Sequence, residues 1–450
     1  SSEGLDGPFL QSFPRDGMEP NEALAKAVPM ALRWCMVSGV LATVFLFAVA
    51  TVTPGVSIQV YFVDTLGKMW ATPDIARLSL DNSVAGMINS GAYILAVVVI
   101  LFSMVWPYVK LGSMLYAWLV PMKASRRGAL LVFLDQVGKW SLTDNIIMFL
   151  LIVLFSIRWK GADTMFALRC VPGVELNVFV GATVMSLVLG HAMLAIHRWQ
   201  QGGGLTEGED LAVDSGLIGA ATRREALRKK LTHKGYRPSP LVSHATLLSI
   251  MGTLVLLFCS FYVDIVEIQM DGLVGMFKDV TNQPRAERYN MLRIVSELGH
   301  HGNFYLQAVL VLYTMLLPVL YLLSLLCLWA APLSPREQIG IFALCQTMGA
   351  WSSLDVFVVA YLGAVLGGEK YGIAQFLELV VYHQNTGPLC SGLRQIGVEC
   401  LIVRISMLQL AALPLFTAIA LTVVGSYVYR RAYLAMHIGK SSSSVDQAGL

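Results

Sequence analysis

The chain has 450 residues, of which 56% are hydrophobic and 14% are charged. Soluble domains carry about 25% charged residues, so this composition excludes an ordinary soluble protein and indicates an integral membrane protein. The net charge of +3 is too small to indicate a nucleic-acid partner, and none is expected.

Eight apolar stretches predict membrane-spanning helices, because a span needs roughly 20 apolar residues. They cover residues 31–53, 92–120, 140–157, 177–196, 244–263, 304–331, 351–367 and 405–429. The second stretch is longer than a perpendicular span needs, and Pro107 predicts a kink in it. Weak polar–apolar alternation at 57–62 and 265–270 predicts small β elements in the loops outside the spans.

These stretches divide the chain into two membrane units with a linker and two tails. The predicted order is a tail at 1–30, a first four-helix unit at 31–198, a basic linker at 199–243, a second four-helix unit at 244–431 and a tail at 432–450. The 121–139 loop, the linker and the Arg430–Arg431 pair are basic, and all three fall on one face. Because basic loops stay inside, both termini are predicted to be cytoplasmic.

The pattern G-x-W-S-x-x-D occurs twice, at residues 138–144 and 211 positions later at residues 349–355. Its members are Gly138, Trp140, Ser141 and Asp144 in the first copy and Gly349, Trp351, Ser352 and Asp355 in the second. The same offset relates Pro107 to Pro318. This repetition indicates a duplicated unit. The predicted fold is therefore an all-α membrane protein of eight transmembrane helices in two tandem, parallel four-helix units.

Two interpretations of the motif are open. In the first, the motif marks the point at which a helix enters the membrane. Trp lies at the headgroup level, Ser caps the helix, Asp favours the positive end of the dipole, and Gly allows a turn or a close approach to a neighbour. Helix caps are far commoner than binding sites, which favours this interpretation.

In the second interpretation, the motif forms a polar site inside the bundle, because carboxylates at membrane depth are costly and often functional. Asp144 and Asp355, with Ser141 and Ser352 beside them, would bind a cationic headgroup, a proton or a basic partner. Lys110 would face Asp135 or Asp144 as a counter-charge. Tyr321 replaces Lys110 in the second copy, which predicts different roles for the two halves.

Few other residues in the sequence indicate a binding site or a reaction. Cys390 and Cys400 lie in a loop predicted to be non-cytoplasmic, where they form either a disulfide or two free thiols. His191, in an apolar span, is more typical of a satisfied bundle residue than of a ligand. No catalytic or nucleotide-binding motif is present, so we expect neither an enzyme nor a cofactor.

The residues around both motif copies resemble the paraquat-inducible protein A family. The resemblance is carried by Pro107, Lys110 and the first motif copy, and by Pro318 and the second copy followed by Val356 and Phe357. It implies eight membrane helices and a role in lipid movement at a bacterial inner membrane. It also implies a partner of the mammalian-cell-entry (MCE) type that forms a tunnel for lipid. Family members typically carry zinc-binding cysteine pairs before each unit, but residues 1–30 and 198–243 contain no Cys, so no metal site is predicted.

Three functions are therefore weighed. The first is a membrane subunit of an intermembrane lipid transport system, which loads or unloads lipid for an MCE-type partner. The second is a tetraspan-like scaffold or auxiliary subunit of another membrane complex. The third is an ion-coupled secondary transporter, which would need broken helices and facing charges. The resemblance favours the first.

Overall fold

The computed structural model describes thirteen stretches of the chain. They are residues 23–63, 69–71, 76–79, 84–85, 88–89, 93–154, 157–160, 165–202, 240–280, 284–300, 304–333, 335–366 and 402–446.

The described residues of the first half form six helices. They are α1 (Met30–Val52), α2 (Tyr93–Val99), α3 (Trp106–Leu119), α4 (Ala124–Gly138), α5 (Thr143–Leu154) and α6 (Val174–Gly202). A π-helical segment, Ile100–Val105, joins α2 to α3, and a 3-10 turn, Lys139–Leu142, joins α4 to α5. A further short 3-10 helix, Leu24–Ala27, precedes α1.

Eight helices lie in the part of the second half that the structure describes. They are α7 (Pro240–Tyr262), α8 (Leu273–Val280), α9 (Met291–His300), α10 (Phe304–Val311), α11 (Leu317–Ala330), α12 (Pro335–Trp351), α13 (Leu354–Leu366) and α14 (Leu413–Asp446). A π-helical segment, Leu312–Leu316, joins α10 to α11. A 3-10 turn, Gln409–Ala412, leads into α14.

Seven helices of the described chain are long and apolar enough to cross a membrane. They are Met30–Val52, Ile100–Leu119, Leu176–Gln200, Leu241–Tyr262, Phe304–Ala330, Gly340–Leu362 and Gln409–Ala432. These correspond in position to seven of the eight predicted spans. The exception is the stretch at 140–157, where α5 has 12 residues, fewer than the roughly 20 that a full crossing needs.

The long helix that was predicted to kink at Pro107 contains a π-helical segment instead of a simple bend, and so does its counterpart with Pro318. Each π-helical segment directly precedes a helix whose second residue is proline, Pro107 in α3 and Pro318 in α11. Proline lacks an N–H and crowds the carbonyl one turn earlier, and a π turn relieves both problems. The paired prolines therefore have the same local effect in both halves.

The predicted β elements are present, and the described strands form two antiparallel sheets. The first has the order β2 (Met69–Ala71), β1 (Pro54–Val63), β5 (Met165–Pro172), β4 (Ile157–Lys160), and β3 (Ala76–Ser79) also pairs with β1. In its centre, β1 pairs with β5 from Val56 opposite Pro172 to Val63 opposite Met165. The second has the order β7 (Ala286–Tyr289), β6 (Val266–Asp271), β8 (Ile402–Met407).

Two apolar cores hold the helices. One joins α1, α3, α4 and α6 around Phe47 and Trp118, and it includes Leu24 from the short N-terminal helix. The larger core joins α5 to α11, α13 and α14. From Ile146 to Leu154, α5 is apolar on every face, and it is buried between the two halves rather than exposed. Large apolar side chains of α1 and α14, such as Phe45 and Phe416, remain exposed, as expected for surfaces that face lipid.

Candidate functional site: a polar cluster between the two halves

Lys110 is a buried cation in the middle of the apolar bundle. It lies one turn after Pro107 on α3 and is 1% exposed. Its Nζ donates a hydrogen bond to Ser186 Oγ at 3.1 Å. A charged group at this depth is costly, so its presence marks a functional candidate.

Gly138 makes room for this ammonium group. A Cβ built on Gly138 would lie 2.7 Å from Lys110 Nζ and 3.1 Å from Leu187 Cδ2. The glycine of the first motif copy is therefore required by a close approach of side chains from α3 and α6. Close approach to a neighbour is one of the two roles expected for the glycine of the motif.

Asp135 is the carboxylate that acts electrostatically on Lys110. It lies one turn before Gly138 on α4 and is 3% exposed. Its Oδ2 lies 3.8 Å from His191 Nδ1. Its Oδ1 has no hydrogen-bond partner in the described chain. The predicted pairing of Lys110 with Asp135 is thus electrostatic, with Ser186 as the direct contact.

His191 connects this cluster to the second half. Its Nε2 lies 3.2 Å from Thr347 Oγ1 on α12, and its ring packs edge-on against Trp351 of the second motif copy, with centroids 5.8 Å apart. His191 is therefore a bundle residue that bridges α4 and α12.

Three further polar residues line α5 and α6 beside Lys110. Asn145 Nδ2 donates to Thr183 Oγ1 at 3.4 Å, Thr183 Oγ1 donates to Phe179 O at 3.0 Å, and Ser186 Oγ donates to Thr183 O at 2.8 Å. The sequence analysis missed these residues. Thr183 and Ser186 are spaced i, i+3 in an apolar span, which puts both on one helix face and could have identified them.

Lys139 brings the two motif copies into direct contact. It occupies the second, variable position of the first copy. Its Nζ lies 2.7 Å from Asp355 Oδ2 and donates a hydrogen bond to Ser352 O at 3.0 Å. Both acceptors belong to the second copy, where Ala350 replaces the lysine. No spacing rule in the sequence predicts this contact.

The motif serines do not cap their helices. The hydroxyl groups of Ser141 and Ser352 are buried and have no hydrogen-bond partner in the described structure, and the same is true of Ser353. Ser353 N instead donates to Tyr313 O of the π-helical segment at 3.0 Å. Asp355 does take part locally, because its Oδ1 accepts from Val356 N at 3.0 Å.

The motif tryptophans pack on aromatic side chains of the π-helical segments. Trp140 stacks on Phe102 at 5.2 Å between ring centroids, and Trp351 stacks on Tyr313 at 6.3 Å. Each motif copy therefore contacts the π-helical segment of its own half. The second copy also lies inside the candidate span Gly340–Leu362, which begins well before the predicted start at residue 351.

In the second half, a motif glycine again lies against a side chain of the proline-containing helix, but that side chain is an uncharged tyrosine. A Cβ on Gly349 would lie 3.0 Å from Tyr321 Cε2, just as Gly138 faces Lys110. Tyr321 thus fills the equivalent position with a neutral side chain. The sequence-based expectation that the halves differ agrees with this arrangement.

Some predicted residues fall outside the described structure. The backbone of Asp144 lies in the first turn of α5, but its side chain is not described. Cys390 and Cys400 are also outside the described residues. The predicted roles of these three residues stay predictions.

Comparison with known proteins bears directly on the resemblance. Residues 244–372 match the family model of paraquat-inducible protein A. Neither the curated proteins nor the solved structures contain a match to the chain. The matched range contains the second motif copy and Pro318, two of the features on which the resemblance was based. Residues 244–372 of this membrane protein are therefore similar to the paraquat-inducible protein A family, as the resemblance predicted.

Proposed function

We propose that the chain is the integral membrane subunit of an intermembrane lipid transport system and that it loads or unloads lipid for an MCE-type partner. The match of residues 244–372 to the family model supports the proposal, as does the buried polar cluster around Lys110. In this proposal the cluster contacts the polar headgroup of a lipid while the apolar helices accommodate the acyl chains.

The burial of Lys110 carries the proposal. Its direct partner is a neutral hydroxyl, and the nearby Asp135 keeps one oxygen without a partner in the described chain. Ser141 adds a further unpaired hydroxyl group. Buried polar groups normally have partners, so a cluster with several open donors and acceptors is suited to a polar ligand.

The architecture that we propose for this function is eight membrane helices in two tandem, parallel four-helix units. The equivalent proline turns and the equivalent contacts of Gly138 and Gly349 support it. Both termini would be cytoplasmic, in the inner membrane of a bacterium. Labelling of single cysteines introduced at residues 30 and 430 with a membrane-impermeant reagent tests this orientation, since labelling of intact cells would contradict it.

Native mass spectrometry of the protein purified gently from its own membrane tests the lipid function. We expect wild type to retain a defined phospholipid, and Lys110→Met and Asp144→Asn to lose it. Tyr321→Phe is the matched control, because it changes the equivalent position of the second half and should keep the lipid. No retained lipid, with a co-purifying membrane protein instead, would favour the scaffold function.

An ion-coupled secondary transporter is the second candidate, and one observation favours it. Ser352 and Ser353 interrupt the helix within the candidate span Gly340–Leu362, and the Lys139–Asp355 pair lies beside this interruption. Broken helices next to charges are typical of transporter sites. Proteoliposomes with a pH-sensitive dye test it: proton movement in wild type and its loss in Asp135→Asn are expected, and identical traces from protein-free vesicles would exclude it.

A further inference from the structure

Three basic residues cluster where α4 packs against α6, at the end predicted to be cytoplasmic. Arg127 on α4 is 6% exposed, and His197 on α6 is 1% exposed. Arg198, next along α6, is half-buried. Both arginines act electrostatically on the His197 ring. Their neighbour Arg126 is exposed, so burial distinguishes this cluster from the general basic surface.

The hydrogen bond within the cluster fixes which nitrogen of His197 carries the proton. Arg127 Nε donates to His197 Nδ1 at 3.3 Å. Guanidinium groups only donate, so Nδ1 is the acceptor and Nε2 carries the hydrogen. Nε2 is buried and has no acceptor among the described residues. The imidazole therefore presents a buried N–H donor that lacks an acceptor.

Arg198 adds positive charge that the described chain does not neutralise by contact. No ion pair or hydrogen bond joins its guanidinium to another described residue. The carboxylate that acts on it electrostatically is Asp135, which lies against His191 instead. The cluster thus combines two guanidinium groups with an unsatisfied N–H.

We infer that Arg127, His197 and Arg198 form a binding site for a phosphate group, supplied by the headgroup of an anionic phospholipid. Guanidinium groups and N–H donors are the preferred protein ligands of phosphate oxygens. Trp199 follows at the end of the span Leu176–Gln200 and is 72% exposed, which is typical of the headgroup level. Anionic lipids are abundant in the cytoplasmic leaflet. The site is separate from the Lys110 cluster, and it binds lipid whether or not that lipid is transported.

Binding of short-chain lipids to the purified full chain in detergent tests this site. The probes are dioctanoyl phosphatidylglycerol, dioctanoylglycerol without a phosphate, and inorganic phosphate. We expect wild type to bind the phosphatidylglycerol at least about tenfold more tightly than the dioctanoylglycerol, because charge-assisted hydrogen bonds are strong. Arg198→Gln and His197→Phe should each weaken this binding by about tenfold. The matched control, Arg126→Gln, should change it less than about twofold.

The outcomes separate the site from its alternatives. Inorganic phosphate that binds and competes as well as the lipid would support the same phosphate site with a soluble ligand. Equal losses in Arg198→Gln and Arg126→Gln would overturn the proposal in favour of general surface attraction. Equal binding of both dioctanoyl compounds by wild type would overturn it too, and this comparison needs no variant. Lys110→Met should keep the binding, so failure of the transport proposal leaves this test intact.

Discussion

The absence of a side chain at Gly138 leaves space that the Lys110 ammonium group occupies. The two residues come from different helices, and Leu187 of α6 closes the same space. The size of the side chain at position 138 therefore decides whether the Lys110 side chain fits inside the bundle. The sequence pattern shows that the glycine is repeated. The side chain that packs against it differs, because Lys110 lies against Gly138 and Tyr321 lies against Gly349.

Gly138→Ala should destabilise the protein by about 1–3 kcal/mol, because the new Cβ overpacks the space between Lys110 and Leu187. Thermal unfolding in detergent measures the change. Gly112→Ala on α3 is the matched control, since nothing lies within 4 Å of its Cβ, and it should be neutral or slightly stabilising. Equal unfolding temperatures for the two variants would show that Lys110 does not depend on Gly138.

The lowered pKa of Glu287, in the second sheet, should make the stability of this sheet depend on pH. Burial by itself raises the pKa of Glu287, but hydrogen bonds and charge from Lys278, Arg293 and Tyr289 lower it further, so the net pKa lies below its usual value of 4.5. Lys278 Nζ lies 3.0 Å from Oε1, and Arg293 Nη2 lies 2.8 Å from Oε2. A depressed pKa stabilises the folded state above the unfolded value and loses that effect as the pH falls.

Acidification below about pH 4.5 should therefore weaken the β6–β7 pairing. Amide hydrogen exchange in residues 266–289 measures this as faster exchange at low pH, after correction for intrinsic rates. Glu287→Gln should have weaker protection at neutral pH and a smaller change on acidification. If Glu287→Gln and wild type show the same change in exchange with pH, other carboxylates cause the loss of protection.

At the scale of helices, Tyr321 of α11 sets how closely α14 can pack. Gly349 of α12 contacts its ring on one side, and Gly425 of α14 lies directly against its hydroxyl end. Three helices thus meet around one aromatic side chain. In the first half, Lys110 with Gly138 and Ser186 has the corresponding position, with a polar contact in place of a second glycine.

Gly425→Ala should separate α11 from α14 and destabilise the protein by about 2 kcal/mol or more, since its Cβ would lie 2.9 Å from Tyr321 Cζ and closer still to the hydroxyl oxygen. The free energy of unfolding in detergent is the measurement. Tyr321→Phe in the same chain should restore part of the loss by removing the hydroxyl group. Gly252→Ala on α7, with open space at its Cβ, should leave stability nearly unchanged.

At the scale of the whole molecule, the two halves meet at their repeated motifs. Lys139 of the first copy contacts Asp355 and Ser352 of the second, and His191 contacts Thr347 and Trp351. The buried helix α5 packs on α13 beneath these contacts. Lys139, which is present in only one of the two motif copies, therefore joins them.

A double-mutant cycle with Lys139→Met and Asp355→Asn should give a coupling energy of roughly 0.5–1 kcal/mol, modest because both side chains are partly exposed to solvent. Unfolding at low and high salt measures it, and salt should reduce the coupling. Lys139→Met should lose more stability than Asp355→Asn, because it also leaves Ser352 O without its donor. A coupling energy of zero at low salt would mean that the pair does not hold the halves together.

The sequence alone determined the membrane class of the protein, the approximate positions of seven candidate spans, the presence of small β elements and the resemblance that the family match at residues 244–372 bears out. These features depend on local composition and on residue identity at fixed spacing, which a linear pattern records. The linear pattern also identified Lys110, Asp135 and both motif copies as chemically unusual, because charge and repetition are visible in an apolar chain.

Only the tertiary structure decided which of these residues touch. The Lys139–Asp355 pair spans more than 200 positions of sequence, and the Lys110–Ser186 bond joins separate helices. The same holds for α5, whose short apolar sequence suits a membrane span and a buried helix equally well. Helix packing fixed its place between the halves, because contacts between distant segments depend on the arrangement of whole helices rather than on local sequence.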